Sequence, residues 1–325
     1  MIDRIAGPLE ERQAVKLRMA LVTARRALEL DPDMPVLVAA LRDAGADVET
    51  PCWDDPDVDW TRYGAALLRS TWDYADRIDE FLAWCDRCSH LTRLLNASSV
   101  VRWNTDKHYL AHLARVGVAV VPTRFVEPGA CARTELEAFL AGGPQSLTIG
   151  RSEGFDEFVV KPAIGAGSRD AARYQRSELA RAIEHVDRLI ATGRSLLLQP
   201  HLSRVDEDGE TAVLYLGGRF SHAIRKGPLL RRGAAMVEGL FAPEEIRPRE
   251  AGREELDVAA AAYAAIPFAA PCYARIDLLR DTRGTPVVLE LELTEPSLFL
   301  AHAPGAAAAF AAHLVQRLRE STATG

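Results

Sequence analysis

Four charged residues recur at two-residue spacing in the segment CYARIDLLRDTRGTPVVLELEL: Arg275, Asp277, Glu290 and Glu292. Turn-forming residues at 281–285 separate two runs of alternating apolar residues, which predicts a β-hairpin. In a symmetric hairpin Asp277 faces Glu290, and Arg275 faces Glu292. Because strand side chains alternate, all four then project from one face, and the leucines fill the other. Three crowded carboxylates repel one another unless a cation lies between them, so the pattern predicts a site for Mg²⁺ and phosphate oxygens. The alternative is a solvent-exposed polar face in which Arg275 neutralises one acid.

A second pattern is typical of phosphate binding. Lys161 ends the apolar run FVVK, and the loop after it contains Gly165, Gly167 and Ser168. Small residues let backbone N–H groups approach phosphate oxygens, while a lysine at a strand end supplies positive charge. The spacing fits neither a Walker A loop nor a dinucleotide-binding motif. Further cations lie beside apolar segments, where each alone is typical of a surface charge: Lys107, Arg225 and Lys226.

The elements that must position these residues begin with a small N-terminal unit. The apolar runs 19–23 and 64–70 predict strands, and helical patterns follow at 34–45 and 80–95. Strands that alternate with helices predict a parallel α/β domain, in which ligands bind beyond the carboxyl ends of the strands. The residues at the end of the second strand are therefore candidate substrate contacts: Arg69, Ser70, Thr71, Trp72 and Asp73. A loop that simply buries a tryptophan is the alternative for each of them.

The rest of the chain changes from helices to hairpins. A helix is predicted over 105–116 and a strand over VAVVPTRF, followed by a loop-rich stretch through residue 156. FVVKPAIGAGSRD begins a second α/β unit. From Leu196 onward the pattern favours strands in hairpins, and a helix-rich tail follows at 303–319.

Composition excludes several classes of protein. The chain has 325 residues, 48% apolar and 26% charged, and these values are typical of a globular protein with two or three cores. Its net charge of −7 argues against nucleic-acid binding. No apolar stretch suits a membrane span, and residues 1–18 do not form a signal peptide. Five cysteines are too few for a disulfide scaffold, so Cys85 and Cys88 are expected to be free thiols in a cytoplasmic protein.

In chain order, these segments resemble the ATP-grasp superfamily over roughly residues 19–318. The resemblance implies a mixed α/β and α+β fold, in which a small N-terminal α/β domain precedes two ATP-grasp subdomains that enclose the nucleotide. The implied division is a flexible extension at 1–18, a substrate domain at 19–104, a central lid subdomain at 105–195, and a C-terminal subdomain with the metal hairpin at 196–325.

The superfamily's functional residues are carried over by motif. Lys107 and Lys161 match its two lysines, AIGAGS matches its lid, and LLLQPHL matches its adenine-binding hinge. The implied ATP-binding residues are Lys107, Lys161, Gly165, Gly167, Ser168, Gln199, Leu202 and Glu210, the last of which matches the acid that holds the ribose. The implied metal ligands are Asp277, Glu290 and Glu292, which would bind two Mg²⁺ ions, with Mn²⁺ as a substitute. Glu292 departs from the asparagine that many members carry, and the spacing from Asp277 to Glu290 resembles that of D-alanine–D-alanine ligases.

Several segments resemble a narrower group, the O-ureido-serine cyclo-ligases of cycloserine biosynthesis. They include RSTWDY, LLNASSVVRWNTDK, VVKPAIGAGSRD, FSHAIRKGP and ELELTEPSLFL. The resemblance implies that the carboxylate of a small amino acid is phosphorylated and then attacked by a nitrogen of the same molecule. Arg275, Arg225 and Lys226 would be catalytic, while Glu295 and Ser297 would orient the amine and carboxylate of the substrate. A homodimer is the oligomeric state that the resemblance implies.

Four alternatives remain open at this stage. An intermolecular amide or dipeptide ligase would share all of these residues, and a kinase would stop after phosphoryl transfer. A non-enzymatic nucleotide-binding protein would be expected to have lost part of the carboxylate set. A zinc hydrolase would depend on His108 and His112, which lie one helical turn apart but lack the glutamate of the zinc-protease motif.

Overall fold

The computed structural model describes residues 17–142, 155–228, 230 and 245–323, whose strands form three sheets. Most of the predicted extension at 1–18 lies outside the described residues, although Arg18 already belongs to the first strand. No helix among the described residues has the length and apolar character needed to span a bilayer.

The N-terminal sheet is parallel, with the strand order β2-β1-β3-β4. Its elements are β1 (Arg18–Thr23), α1 (Asp33–Asp43), β2 (Asp47–Glu49), β3 (Ala65–Ser70), α2 (Ile78–Leu91) and β4 (Arg93–Leu95). The prediction of a parallel α/β unit is confirmed. The helix predicted to reach Leu95 instead ends at Leu91, because the next residues pair with β3. Cys85 and Cys88 are buried free thiols, as expected.

The central sheet is antiparallel, with the order β5-β8-β6-β7. Two helices precede this sheet along the chain, α3 (Ser98–Asn104) and α4 (Tyr109–Arg115). The elements that follow are β5 (Arg124–Val126), α5 (Ala132–Leu140), β6 (Glu157–Pro162), β7 (Ala172–Gln175), α6 (Leu179–Ile190) and β8 (Leu196–Pro200). Strand β8 lies between β5 and β6, so the predicted division at residue 195 would remove a central strand from this sheet. Helices α5 and α6 bury their apolar residues against the sheet.

The C-terminal sheet is antiparallel, with the order β11-β10-β9-β12-β13. Its elements are α7 (Val205–Asp208), β9 (Glu210–Leu216), β10 (Arg219–Lys226), β11 (Ile246–Arg249), α8 (Arg253–Ala264), β12 (Tyr273–Arg280), β13 (Pro286–Glu292) and the terminal helix α9 (Ala306–Ala323). The predicted hairpin is confirmed in register, since Arg275 pairs with Glu292 and Asp277 pairs with Glu290. Beyond Asp277 a β-bulge shifts the pairing by one residue.

The two faces of the C-terminal sheet have different roles. One face is apolar and packs residues such as Ile276 and Leu291 against helices α4 and α8. The other face packs Leu214 and Tyr273 against α1 and α9, and its remaining part carries the charged residues of β9, β10, β12 and β13. Each buried aliphatic side chain contributes about 1.5–3 kcal/mol. This packing therefore fixes the backbone from which the charged side chains project.

Candidate active site

A cavity of about 530 Å³ is lined by strands of the central and C-terminal sheets and by residues outside the strands of the N-terminal domain. All residues predicted to bind ATP line it, as do the three predicted metal ligands. Of the predicted catalytic residues, Lys226 and Arg275 line the cavity. Of the predicted substrate contacts, Trp72, Glu295 and Ser297 do so. The structure therefore brings most of the predicted site together.

Asp277 is the most heavily bonded carboxylate of the site. It accepts hydrogen bonds from Arg275, at 2.9 Å from Nε to Oδ1 and 2.9 Å from Nη2 to Oδ2. Lys226 lies 2.8 Å from Oδ2 on the neighbouring side. Burial would raise the pKa of Asp277, but Arg275 and Lys226 hold that pKa well below its usual range. Asp277 is therefore ionised throughout the neutral range.

Glu290 connects the hairpin to the glycine-rich loop. The Nζ atom of Lys107 lies 3.0 Å from the Glu290 carboxylate and also donates to the carbonyl oxygen of Gly165 at 2.9 Å. Burial opposes ionisation, yet Lys107 and Lys161 lower the pKa of Glu290. Burial also lowers the pKa of Lys161 itself. Both predicted lysines thus lie on the side of the cavity where Glu290 projects.

Glu292 and Glu210 lie on either side of this arrangement, where Glu292 contacts Arg275 and Glu210 contacts Lys226. Burial raises the pKa of Glu292 to about 7 and that of Glu210 to about 8, even though each has a cationic partner. Both carboxyls are therefore poorly solvated. A bound cation would favour their ionised forms.

The carboxylate oxygens suit Mg²⁺, which prefers hard oxygen ligands. Among the described residues, no three His, Cys, Asp or Glu side chains converge closely enough to form a complete ligand set. Instead a lysine or arginine contacts each of Asp277, Glu290 and Glu292. This sheet face thus requires positive charge, and its donor chemistry fits a magnesium ion shared with phosphate oxygens.

The glycine-rich loop after β6 covers one side of the cavity. Gly167, Ser168 and Asp170 have φ angles of 63°, 61° and 55°. The left-handed region costs a non-glycine residue about 1–2 kcal/mol, so contacts must hold Ser168 and Asp170 there. Arg169 supplies one such contact, with its Nη1 atom 2.7 Å from Asp76. The loop is thereby attached to the N-terminal domain and lies over the site.

Apolar residues form another part of the cavity wall, an apolar slot. Val121, Leu202 and Leu279 belong to one buried cluster, and all three line the cavity. Gln199 donates from Nε2 to Thr123 Oγ1 at 2.9 Å, which fixes its amide at the edge of the slot. An apolar slot with a few fixed polar groups suits a flat heteroaromatic ring. This geometry agrees with the hinge prediction for Gln199 and Leu202.

The segment after β13 forms the wall nearest the N-terminal domain. Trp72 donates from Nε1 to the Glu295 carbonyl at 3.1 Å, and Arg69 donates from Nη1 to the Pro296 carbonyl at 3.0 Å. Asp33 accepts hydrogen bonds from the backbone N–H groups of residues 298–300, at 2.6, 3.0 and 2.7 Å. The N-terminal domain therefore fixes the position of this segment.

Five predicted residues lie outside the cavity wall, one of which is Arg69, whose bond to the Pro296 carbonyl is described above. Ser70 hydrogen-bonds to Thr23 at 2.8 Å, Thr71 is fully buried, and Asp73 accepts from Trp53 Nε1 at 2.9 Å. Arg225 donates to the carbonyl oxygens of Asp208 and Glu207, at 2.7 and 2.8 Å. Arg225 faces away because it is adjacent to Lys226, and neighbouring strand residues project to opposite faces.

Sequence reasoning missed three residues that shape the site. Tyr74 lines the cavity and hydrogen-bonds to the Glu295 carboxyl. Asn104 bonds to both backbone groups of the β13 edge, donating to Leu291 O at 2.7 Å and accepting from Leu293 N at 2.6 Å. Asp33 holds the segment described above. Tyr74 lies within RSTWDY and Asn104 within LLNASSVVRWNTDK, so the family resemblance pointed to both segments. The roles of the two residues could not be predicted, because the residues that they contact are distant in sequence.

The two histidines of the zinc alternative bind different groups. His108 contacts Asp106 and Glu127, which raise its pKa to about 9. His112 lies 3.0 Å from the Ala265 carbonyl oxygen. The described residues contain no group of three or more His, Cys, Asp or Glu side chains that could hold a metal ion, so the structure gives the zinc alternative no support.

Comparison with known proteins gives concordant results. Residues 19–96 match a family model described as the N-terminal domain of D-cycloserine synthetase DcsG. The chain is 43% identical over 308 residues to the cycloserine biosynthesis protein DcsG of Streptomyces lavendulae, covering 93% of this chain and 99% of that protein. The crystal structure of D-cycloserine synthetase DcsG is 42% identical, with a TM-score of 0.85 and coverage of 93% and 99%. The ATP-grasp ligase PsnB, solved with a precursor variant, Mg and ADP, is 16% identical with a TM-score of 0.58 and coverage of 94% and 98%, a likeness of fold alone.

Proposed function

This chain belongs to the D-cycloserine synthetase family of ATP-grasp ligases, and from that membership we propose that it closes the ring of an O-ureido-serine in antibiotic biosynthesis. ATP would phosphorylate the substrate carboxylate, releasing ADP. The nitrogen bonded to the side-chain oxygen of the same molecule would then attack the acyl carbon. A C–N bond would form, the attacking nitrogen would lose its proton, and the C–O bond to phosphate would break with release of inorganic phosphate. The product is a five-membered ring that still carries the carbamoyl group on that nitrogen.

The observation that carries this proposal is the charged face of the C-terminal sheet. Asp277, Glu290 and Glu292 would hold Mg²⁺, which neutralises charge on the transferring phosphoryl group. We expect two ions, for which Mn²⁺ can substitute. Lys107 and Lys161, on the same side of the cavity, would bind the nucleotide phosphates. Electrostatic stabilisation and positioning are the main requirements of phosphoryl transfer.

Arg275 would act in the second step. Its guanidinium is held by Asp277 and lies 3.4 Å from the Ser297 carbonyl oxygen. It therefore connects the β12–β13 hairpin with the segment that follows β13. From there it can stabilise the oxyanion of the tetrahedral intermediate. A guanidinium that is already held in place need not reorganise during the reaction, which is the condition for effective stabilisation.

Water must be excluded, because an acyl phosphate hydrolyses readily. The glycine-rich loop supports this requirement, since Ile164 and Ala166 pack against the aromatic cluster of the N-terminal domain. The ion pair of Arg169 with Asp76 holds the same loop. Closure of such a loop over the reactants protects reactive intermediates from water.

The experiment is to incubate the protein with ATP, Mg²⁺ and O-ureido-serine of either configuration, and to identify the products by mass spectrometry. We expect ADP, phosphate and a five-membered ring without any added amine, since the nucleophile arrives attached to the carboxylate. The Asp277→Asn variant is the control for contaminating activity. ADP release that requires a second amine and gives a linear amide would overturn ring closure in favour of an intermolecular ligase. ADP release with an acyl phosphate or its hydrolysis product alone would indicate a kinase.

Two expectations from the sequence stay predictions. A cytoplasmic location is supported by the absence of disulfides among the five cysteines, four of which are buried. A homodimer is supported by the family resemblance.

A further inference from the structure

Glu295 is a buried carboxyl held in place by the N-terminal domain. Its side chain lines the cavity and its residue is only 9% exposed. Trp72 bonds to its carbonyl oxygen at 3.1 Å, Arg69 bonds to the next carbonyl at 3.0 Å, and the Tyr74 hydroxyl donates to its carboxylate. The carboxylate is therefore fixed in both position and direction.

Glu295 differs from the neighbouring acids in its charge balance. The other acids on the charged face each contact a protein cation: Glu290 with Lys107, Asp277 with Lys226 and Arg275, Glu292 with Arg275, and Glu210 with Lys226. Within the described part of the chain, no Lys, Arg or His nitrogen lies within ion-pairing distance of Glu295. Lys107 lowers its pKa only from farther away, and its hydrogen-bond partner Tyr74 is neutral. Burial raises the pKa of Glu295 to about 8. A buried carboxylate with a neutral partner is costly unless a cation reaches it.

The segment that carries this carboxylate also contacts a group of opposite charge, the guanidinium of Arg275. Ser297 also lines the cavity, and the Pro296 carbonyl between the two residues is bonded to Arg69. Arg275 reaches the Ser297 carbonyl from the hairpin side. One short segment therefore has an anion at one end and a guanidinium at the other. An α-amino acid presents the complementary pair, because its ammonium and carboxylate are attached to adjacent carbons.

We propose that Glu295, positioned by Tyr74, binds the α-ammonium group of the substrate and makes a free amine a requirement for turnover. This inference rests on the proposed function and names the group that the site selects. The ammonium supplies the cation that Glu295 lacks, while the substrate carboxylate points toward Arg275 and the phosphates. Substrates whose amine is removed or acylated would leave the buried carboxylate without a cation. They should therefore bind poorly.

The test compares two ligands in wild-type protein and in the Glu295→Gln variant. The ligands are O-ureido-serine and its deaminated analogue, 3-(ureidooxy)propanoate. In the wild type we expect kcat/KM for the amine-containing substrate to be higher by about 10- to 100-fold, the scale of a buried charge-assisted contact. The ratio of kcat/KM for O-ureido-serine to kcat/KM for the deaminated analogue should fall to about threefold or less in Glu295→Gln. The KM for ATP should stay within about twofold, since Glu295 is not among the residues proposed to bind the nucleotide or its metal.

Matched tyrosine variants separate this role from a general loss of stability. Tyr74→Phe should lower the ratio in the same direction by a smaller factor. Tyr63→Phe is the control, because the Tyr63 hydroxyl also donates to a glutamate of the N-terminal domain, Glu49 at 2.5 Å, outside the cavity wall. That variant should leave the ratio unchanged.

The results that overturn the inference are distinct from failure of the proposed function. An equal loss of kcat with both ligands in Glu295→Gln would show that Glu295 acts in the reaction rather than on the ammonium. An unchanged ratio in Glu295→Gln and in Tyr74→Phe would show that the amine is bound elsewhere. If the wild type formed no ring, the proposed function would fail, and calorimetric dissociation constants for the two ligands would still give the ratio.

Discussion

Replacing Glu295 with glutamine should stabilise the ligand-free protein at pH 8 and have little effect at pH 5. Burial raises the pKa of Glu295 from 4.5 to about 8, with the nearby Glu292 charge adding to the shift. Between these values the folded state binds this proton more tightly than the unfolded state does. The free energy of unfolding therefore falls as pH rises through this window. One pKa unit corresponds to about 1.4 kcal/mol, so the window of three pH units from 5 to 8 accounts for at most about 4 kcal/mol.

Glutamine carries no titrating proton and still accepts a hydrogen bond from Tyr74. The Glu295→Gln variant should therefore be more stable than the wild type at pH 8, by up to about 4 kcal/mol, and should show a flatter dependence on pH. Urea unfolding followed by circular dichroism at pH 5 and pH 8 measures both quantities. Tyr74→Phe should act in the opposite direction, because the tyrosine hydrogen bond lowers the pKa of Glu295. A Glu295→Gln variant that is destabilised equally at both pH values would refute this account of the buried carboxyl.

Three other predictions concern the charged residues in and next to the cavity. Asp277→Asn and Glu290→Gln should each lower ADP formation by about 100-fold or more while the circular dichroism spectrum stays unchanged, because each removes a metal-binding charge but little volume; near-normal turnover with Mg²⁺ would contradict the metal assignment. Lys161→Ala should weaken ATP binding by about 2–4 kcal/mol, and unchanged affinity by calorimetry would make Lys161 a structural charge. Arg225→Ala should leave kcat within about twofold and lower stability by about 1 kcal/mol, since its hydrogen bonds go to α7 carbonyls; a large fall in kcat would return Arg225 to the site.

The metal hairpin could be predicted in detail because its pattern excludes other registers. A one-residue slip would place the acids of one strand among the leucines of the other, so the pairing of Asp277 with Glu290 followed from the sequence. The β-bulge that begins after Asp277 was not predictable. No turn residue marks it, and it follows from how the strand packs against its neighbours.

Adjacent candidates were harder to separate. Arg225 and Lys226 are neighbours on one strand, so only one of them can face the cavity. The sequence analysis predicted both as catalytic residues. Strand parity could have decided between them, because Ile224 is buried and shares a face with Lys226. The prediction that Ser70, Thr71 and Asp73 contact the substrate finds no support in the cavity wall, for a related reason. A strand end was correctly placed near the site, but it turns most of its side chains into its own domain.

The individual hydrogen bonds between distant segments could not be predicted. The bonds from Asp33 to residues 298–300, and from Asn104 to β13, join positions separated by roughly 190 to 270 residues. No local periodicity encodes such a pair. These contacts nevertheless hold the backbone that carries Glu292 and Glu295, so the sequence identified the site's charges without the groups that position them.

The buried acids of this cavity connect the stability of the chain with its function. A protein selected for stability alone would replace Glu295 with a neutral residue, because an uncompensated buried carboxyl is costly at neutral pH. The same cost becomes binding free energy when a ligand brings the missing cation, since a contact made only with the correct ligand also penalises every ligand that lacks the group. Lys226, between Glu210 and Asp277, shows the contrasting arrangement, in which the chain supplies the cation itself. We therefore propose that the distribution of protein cations along the charged face distinguishes two groups of acids: those with a lysine or arginine partner would serve the nucleotide and its metal, and Glu295 would serve the substrate.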